Sequence, residues 1–155
     1  MKETLNYRKA DPGDRETLKR IARDVITKNY VPFLGEKLTR EFIDSGASDS
    51  EIDRGLASCI VLEENTRIIG FAITNNDILH LLMIAPEFQR KGCGTKLLEY
   101  TESVMFEKYQ TIKLQSFKKN VQAISFYQKN GLVKAGEENP DELDIAVCLF
   151  KKSRE

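Results

Sequence analysis

The stretch from Ile78 to Leu98 reads ILHLLMIAPEFQRKGCGTKLL, and it leaves little freedom in what this chain can become. Its first part, up to Ala85, is a short and almost continuous apolar run stopped by Pro86, the pattern of a strand covered on both faces. Its last part opens a helix. Between them, Gly92 and Gly94 let the backbone turn tightly and bring successive N–H groups in front of the helix start. The first helical N–H groups have no intrahelical partner and the helix dipole adds partial positive charge, so such a turn cradles an anion. The ligand it implies is a phosphate group.

Two common phosphate-binding patterns do not fit. A Walker loop ends in Gly-Lys-Ser/Thr, whereas Gly94 is followed by Thr95-Lys96 in the reverse order. A dinucleotide fingerprint needs a third glycine at position 97, which is Leu97, and it follows the first strand of a βαβ unit. The segment Gln89-Arg90-Lys91-Gly92-Cys93-Gly94 resembles instead the Gln/Arg-x-x-Gly-x-Gly/Ala signature of the GNAT superfamily of N-acetyltransferases. A second block, Asn120-x-x-Ala123-x-x-Phe126-Tyr127-x-x-x-Gly131-Leu132, resembles that family's asparagine, small residue, aromatic-tyrosine pair and glycine. It begins 26 residues after Gly94, with room for one helix and one strand between them.

The resemblance implies acetyl-CoA as cosubstrate, with its pyrophosphate at the cradle. Gln89, Arg90, Lys91, Gly92, Cys93, Gly94 and Thr95 would hold that group, and the backbone of Leu82, Met83 and Ile84 would meet the thioester. Asn120, Ala123 and Tyr127 would border the pantetheine arm. It also implies a splay between the strand before the cradle and the strand before the asparagine helix. Acetyl transfer would then proceed by direct attack of a primary amine in a ternary complex, without a covalent intermediate or a metal. The acceptor would be a small molecule or a protein N-terminus.

The remaining chain fits one domain over residues 1–155, long enough to bury about 70% of its unfolded surface. Lysine plus arginine equals aspartate plus glutamate at 24 each, so no net charge draws the chain to nucleic acid or to an anionic membrane. Cys59, Cys93 and Cys148 lack Cys-x-x-Cys spacing and are odd in number, which argues against a disulfide framework. The N-terminus has no apolar secretory core and no apolar run is long enough to span a membrane, so a cytoplasmic location is expected. Family habit suggests a monomer or a homodimer.

Periodicity predicts a strand over 4–8 and a helix from Asp14 to Asn29 with Leu18, Ile21, Ala22, Val25 and Ile26 on one stripe. An aromatic linker from Tyr30 to Gly35 breaks that helix, and a second helix ends at Ser45-Gly46. Ser48-x-x-Glu51 reads as a capping box for a third. A hairpin over 58–74 leads into the central strand, and Gly70 within it suggests a bulge or a close approach. Leu97, Leu98, Thr101, Val104 and Met105 face the core from a helix ending near Tyr109. A strand follows over 112–117, then a helix over 120–130, and a closing hairpin pairs 132–137 with 143–150. The fold class is α+β: a mixed, mostly antiparallel sheet of about seven strands with helices on both faces.

Single residues carry two readings each. Tyr127 is the general acid by resemblance, its phenol (ordinary pKa near 10) able to protonate a departing thiolate, or it is a core tyrosine. Asn120 caps its helix, contacts the pantetheine, or does both. Many family members place a glutamate base on the central strand, and none lies between Asp77 and Pro86 here. Alternation puts His80, the only histidine, on one face with Ile78, Leu82 and Ile84, where it is a substitute base or a core histidine. The weak base suits an α-amine better than a lysine amine. Cys93 has no partner histidine at a recognisable spacing and is treated as incidental. Tyr30 and Phe33 grip an acceptor or plug the core. Glu137, Glu138, Asp141 and Glu142 attract a cation or form a solvated turn. The absent glutamate also motivates a second hypothesis, a CoA-sensing module acting through a partner, against which Tyr127 and Asn120 argue.

Overall fold

The computed structural model describes residues 4–139 and 146–155. In chain order the elements are β1 (Leu5–Lys9), α1 (Arg15–Asn29), α2 (Val31–Asp44), α3 (Ala47–Gly55), β2 (Cys59–Glu64), β3 (Arg67–Asn75) and β4 (Ile78–Ile84). The second half adds α4 (Cys93–Met105), β5 (Thr111–Phe117), α5 (Val121–Lys129), β6 (Val133–Glu138) and β7 (Val147–Ser153). The strands form one sheet in the order β1-β2-β3-β4-β5-β7-β6. Every neighbouring pair is antiparallel except β4 and β5.

Two apolar layers hold helices to the sheet. On one face the α1 stripe Leu18, Ile21, Ala22, Val25 and Ile26 is buried with Ile52 of α3 against Val61, Phe71, Ile73 and Met83. On the other, Leu97, Leu98 and Met105 of α4 pack on Leu62, Ile69, Ile84, Ile112 and Phe150, with Ile124, Phe126 and Tyr127 of α5 at the margin. Burying each Leu, Ile or Phe side chain contributes about 1.5–3 kcal/mol. The α4 face differs from its expected stripe at one turn: Val104 is exposed, and Glu102 is buried against Lys152 of β7.

The helix break expected over Tyr30–Gly35 forms: α1 ends at Asn29, one turn of helix begins at Val31, and the chain kinks at Gly35, whose φ of 84° no helix accommodates. One other local expectation is corrected. The Ser48 capping box does not form: α3 starts two residues earlier than that box requires, after Gly46 in the left-handed region, and Ser48 Oγ is buried without a partner among the described residues. Glu51 is therefore not folded back on the helix start. At the far end of the chain, β7 is described over Val147–Ser153, and residues 140–145, with Asp141, Glu142, Leu143 and Ile145 of the expected closing hairpin, lie outside the described residues.

The sheet is interrupted where β4 and β5 diverge. They share a single register pair, Ile78 with Lys113, although both strands run on for several residues. β4 is also bulged. Thr74 of β3 pairs with Leu79 and Ile73 with Leu81, which leaves His80 as the extra residue.

Candidate active site

The cradle is built from backbone. Ile84 ends β4, a short 3-10 turn spans Pro86–Phe88, and Arg90 and Gly92 both adopt left-handed φ, 63° and 84°. A Cβ on Gly92 would meet nothing within 4 Å, so glycine is required there by conformation and not by space. The first bond of α4 runs from Lys96 N–H to the Gly92 carbonyl at 3.2 Å. The Gly94 and Thr95 amides have no acceptor within the helix and point to its N-terminal side. Gly94 is also where α5 comes close, since a Cβ there would lie 3.3 Å from the Phe126 ring.

Below the cradle, the divergence of β4 and β5 opens a cavity of about 430 Å³. Of the residues expected at the cosubstrate, Leu82, Met83, Ile84, Gln89, Arg90, Gly92, Gly94, Thr95, Asn120, Ala123 and Tyr127 line it. The β4 backbone faces the gap in a defined way. Ala85 N–H bonds Ile69 O on β3 at 2.8 Å, so alternation turns the amides of Leu82 and Ile84 away from β3 and into the gap. The Gln89 side chain donates to the Ile84 carbonyl at 2.9 Å and fixes the turn on the strand end.

Two cradle residues are not brought to the cavity wall. Cys93 is buried in the α4 core layer, and Lys91 stands over the Phe88 ring, 5.6 Å from its centre. Sequence reasoning missed Val25 and Asn29 of α1, which supply another wall, and Gln122 and Phe126 of α5. Phe126 lay inside the second motif. Val25 had been assigned to the core stripe, and nothing local marks Asn29.

On α5, the Asn120 side chain accepts the Ala123 N–H at 3.3 Å, the expected N-cap. That start sets Ala123, Phe126 and Tyr127 on the inward side of the helix. The Tyr127 ring is partly buried, and its hydroxyl has no hydrogen-bond partner among the described residues. Burial, with a smaller effect of the Tyr30 phenol, holds its pKa well above that of an ordinary tyrosine. The group stays protonated and keeps a donor to offer.

A second cavity of about 290 Å³ adjoins the first, and Met83 lines both. Here the alternation argument for His80 is corrected. The bulge carries His80 off the face of Leu82 and Ile84, and it lines this cavity beside Leu81. It is no core histidine, because 47% of its side chain is exposed. Its Nε2 lies 3.8 Å from a carboxylate oxygen of Glu51. Tyr30 lines the same cavity, while Phe33 packs behind it on the rings of Tyr30 and Phe117 at 5.3 and 5.6 Å. Burial, aided by Glu51, pushes the Tyr30 phenol up to about 12. In the closing hairpin, Glu137 is paired with Lys118 at 3.2 Å and with Lys134, so it offers no free charge to a ligand.

A strand pair held at one end, a helix start above the opening and a protonated phenol at its edge form an arrangement shared with known proteins. The family model of the acetyltransferase (GNAT) domain matches residues 55–133, just over half of the chain. Peptidyl-lysine N-acetyltransferase YiaC of Escherichia coli is 32% identical over 72 residues, 46% of this chain and 47% of that protein. S-(2-succino)cysteine N-acetyltransferase of Bacillus subtilis is 28% identical over 111 residues, 63% of this chain and 67% of that protein. The match spans about half the length of YiaC and 44% of a spore coat polysaccharide biosynthesis protein, SpsD, of Bacillus subtilis. In fold, the chain superposes on the PaiA N-acetyltransferase of Thermoplasma acidophilum, solved in complex with coenzyme A, with a TM-score of 0.80 at 23% identity, over 97% of this chain and 99% of that one. No helix of the described residues is long and apolar enough to cross a membrane. The matched domain and the seven-stranded sheet with its splayed centre together establish that this chain belongs to the GNAT acetyltransferase family.

Proposed function

We propose that the chain is an N-acetyltransferase that moves an acetyl group from acetyl-CoA to a primary amine. The observation that carries this reading is the gap between β4 and β5, joined only at Ile78–Lys113 and roofed by the start of α4. Its residues fit the cosubstrate. The Gly94 and Thr95 amides, in the field of the α4 dipole, suit a diphosphate, and the exposed Arg90 adds a nearby cation. A long pantetheine arm fits a slot whose walls are strand backbone on one side and Asn120, Ala123 and Tyr127 on the other.

Acetyl-CoA supplies an activated acyl carbon and a thiolate leaving group. In this reading the Leu82 and Ile84 amides donate to the oxygen that becomes anionic when the amine attacks. Tyr127 gives its proton to the departing thiolate, and the high pKa of its phenol keeps that proton available across the physiological range. His80 takes the proton of the amine from the second cavity. The acceptors named for the relatives, a peptidyl-lysine and a substituted cysteine, differ from each other and so do not choose one here. All three cysteines are buried thiols, in keeping with a cytoplasmic setting.

Thiol release from acetyl-CoA, measured against a panel of amines and short peptides, tests the proposal. Turnover with one class is expected, and Tyr127→Phe should lower kcat by about 10²-fold or more while CoA still binds. Unchanged turnover in Tyr127→Phe at every pH would remove the general acid. CoA binding without turnover on any acceptor would favour the sensing module instead.

A further inference from the structure

The second cavity contains an acid that neither sequence motif accounts for. Glu51 sits on α3, where the failed capping box leaves its carboxylate directed at β4, and 27% of its side chain is exposed. Among the described residues its carboxylate makes no hydrogen bond, and the His80 Nε2 lies 3.8 Å from it. The surrounding walls are mostly apolar: Ile26, Tyr30, Phe42, Met83 and Phe117. A carboxylate at an apolar wall gains most from a cation that brings its own apolar body. The volume, about 290 Å³, lies at the lower edge of the ~300–1,000 Å³ typical of ligand sites, so that body is compact.

What the cavity lacks is as specific as what it contains. No lysine or arginine is among the described residues that line it. Residues 140–145, Pro-Asp-Glu-Leu-Asp-Ile, contain none in their sequence either. A free α-amino acid carries a carboxylate one carbon from its ammonium, and that group would meet Glu51 with no lysine or arginine among the described residues to receive it. Like-charge juxtaposition of this kind rejects a ligand more sharply than a missing contact does.

We infer that Glu51 binds the ammonium of the acceptor, and that the acceptor is a monocationic amine with an apolar neighbour and no carboxylate on the carbon beside the nitrogen. An arylalkylamine and the amino end of a peptide both answer this description; a free amino acid does not. The inference rests on the acetyl-transfer reading for the use to which the bound amine is put. The binding itself follows from Glu51 and its walls.

Because His80 is the only histidine, its ring resonances report on this cavity alone. We would titrate the full chain, with CoA present, with 2-phenylethylamine, phenylalaninamide and phenylalanine, following the His80 ring protons by NMR. The amine and the amide should shift them with affinities at least tenfold tighter than phenylalanine, the amide arm standing for a peptide end and the amine arm for a small molecule. Glu51→Gln should weaken both by tenfold or more and abolish the preference, with the amide spectrum otherwise unchanged. No shift with any of the three, phenylalanine binding as tightly as its amide, or a preference that survives Glu51→Gln would each overturn the assignment. Thiol release assayed in parallel separates the two readings: amines that bind with the expected preference yet release no thiol sink acetyl transfer and leave the Glu51 site standing. Thiol release without the preference does the reverse.

Discussion

Lys152 ties together the two helices that frame the gap, and its removal should loosen both. From β7 its Nζ donates to Glu102 Oε1 of α4 and to the Asn130 carbonyl at the end of α5, each at 2.9 Å. Glu102 is 6% exposed, and its second oxygen is buried without a partner among the described residues. Lys152→Met keeps the stem and deletes the charge, leaving a buried carboxylate uncompensated and a carbonyl without its donor. Breaking a fully buried pair costs about 3–5 kcal/mol. The Lys152 side chain is 28% exposed, so water reaches the site and we expect about 2–3 kcal/mol. For a chain of this size that lowers Tm by about 5–10 °C. Urea unfolding followed by circular dichroism at pH 7 measures it.

The pH dependence has a definite sign. Burial raises the Glu102 carboxyl above its ordinary value, and Lys152 pulls it part of the way back. The folded chain therefore holds this proton more tightly than the unfolded chain, and the ionised form is a cost that lessens as pH falls through the folded-state pKa. Without Lys152 the carboxyl rises further. The deficit of Lys152→Met should be largest at neutral pH and shrink on acidification, and adding Glu102→Gln should recover more than half of it at pH 7. A deficit below about 0.5 kcal/mol at pH 7, the range of ordinary surface substitutions, would refute the reasoning. So would a deficit that grows as pH falls.

Gly92→Ala forces an L side chain into the left-handed region and should cost about 1–2 kcal/mol while weakening CoA binding in calorimetry; unchanged affinity would remove the cradle from the site. Asn120→Ala deletes the α5 cap and should cost about 1 kcal/mol by urea unfolding, whereas Asn120→Asp keeps the cap, so any loss of CoA affinity there reports a direct contact. Asp14 accepts two bonds from Arg8, at 2.8 and 3.0 Å, and one from the Asp11 N–H; the Arg8 bond is the main cause of its lowered pKa. A lowered carboxyl stabilises the fold above the unfolded-state pKa and loses that contribution as pH falls through the folded one, so Asp14→Asn should cost about 2 kcal/mol at pH 7, a cost that shrinks as pH falls through the folded-state pKa.

The elements legible in the sequence are those whose causes are local. Asn120 caps α5 because its side chain needs only the N–H three residues on, and Gly92 marks the turn because its own φ demands it. The α1 stripe is complete for the same reason, since helical neighbours lie within four positions. Both motifs are contiguous, so the cradle and Tyr127 could be paired before any fold was known. Local rules also misled at the Ser48 cap, where packing of α3 on α1 outweighed them.

Tertiary structure decided what depends on partners far along the chain. β7 inserts between β5 and β6, an order no periodicity encodes. One extra residue in β4 shifts the register against β3 and moves His80 to the other cavity, because a strand's side chains change face with every single-residue step. Glu102 lies outside the apolar stripe legible on α4, and only β7 brings Lys152 to it. Glu51 and His80 are 29 positions apart, and only the packing of α3 beside a bulged strand brings their side chains to 3.8 Å. The amino-acid sequence determined that this chain has a strand, an anion-binding turn and a helix in that order, since each rests on residues a few positions apart. Which side chains face the second molecule was settled by long-range pairing, because that depends on register and strand order.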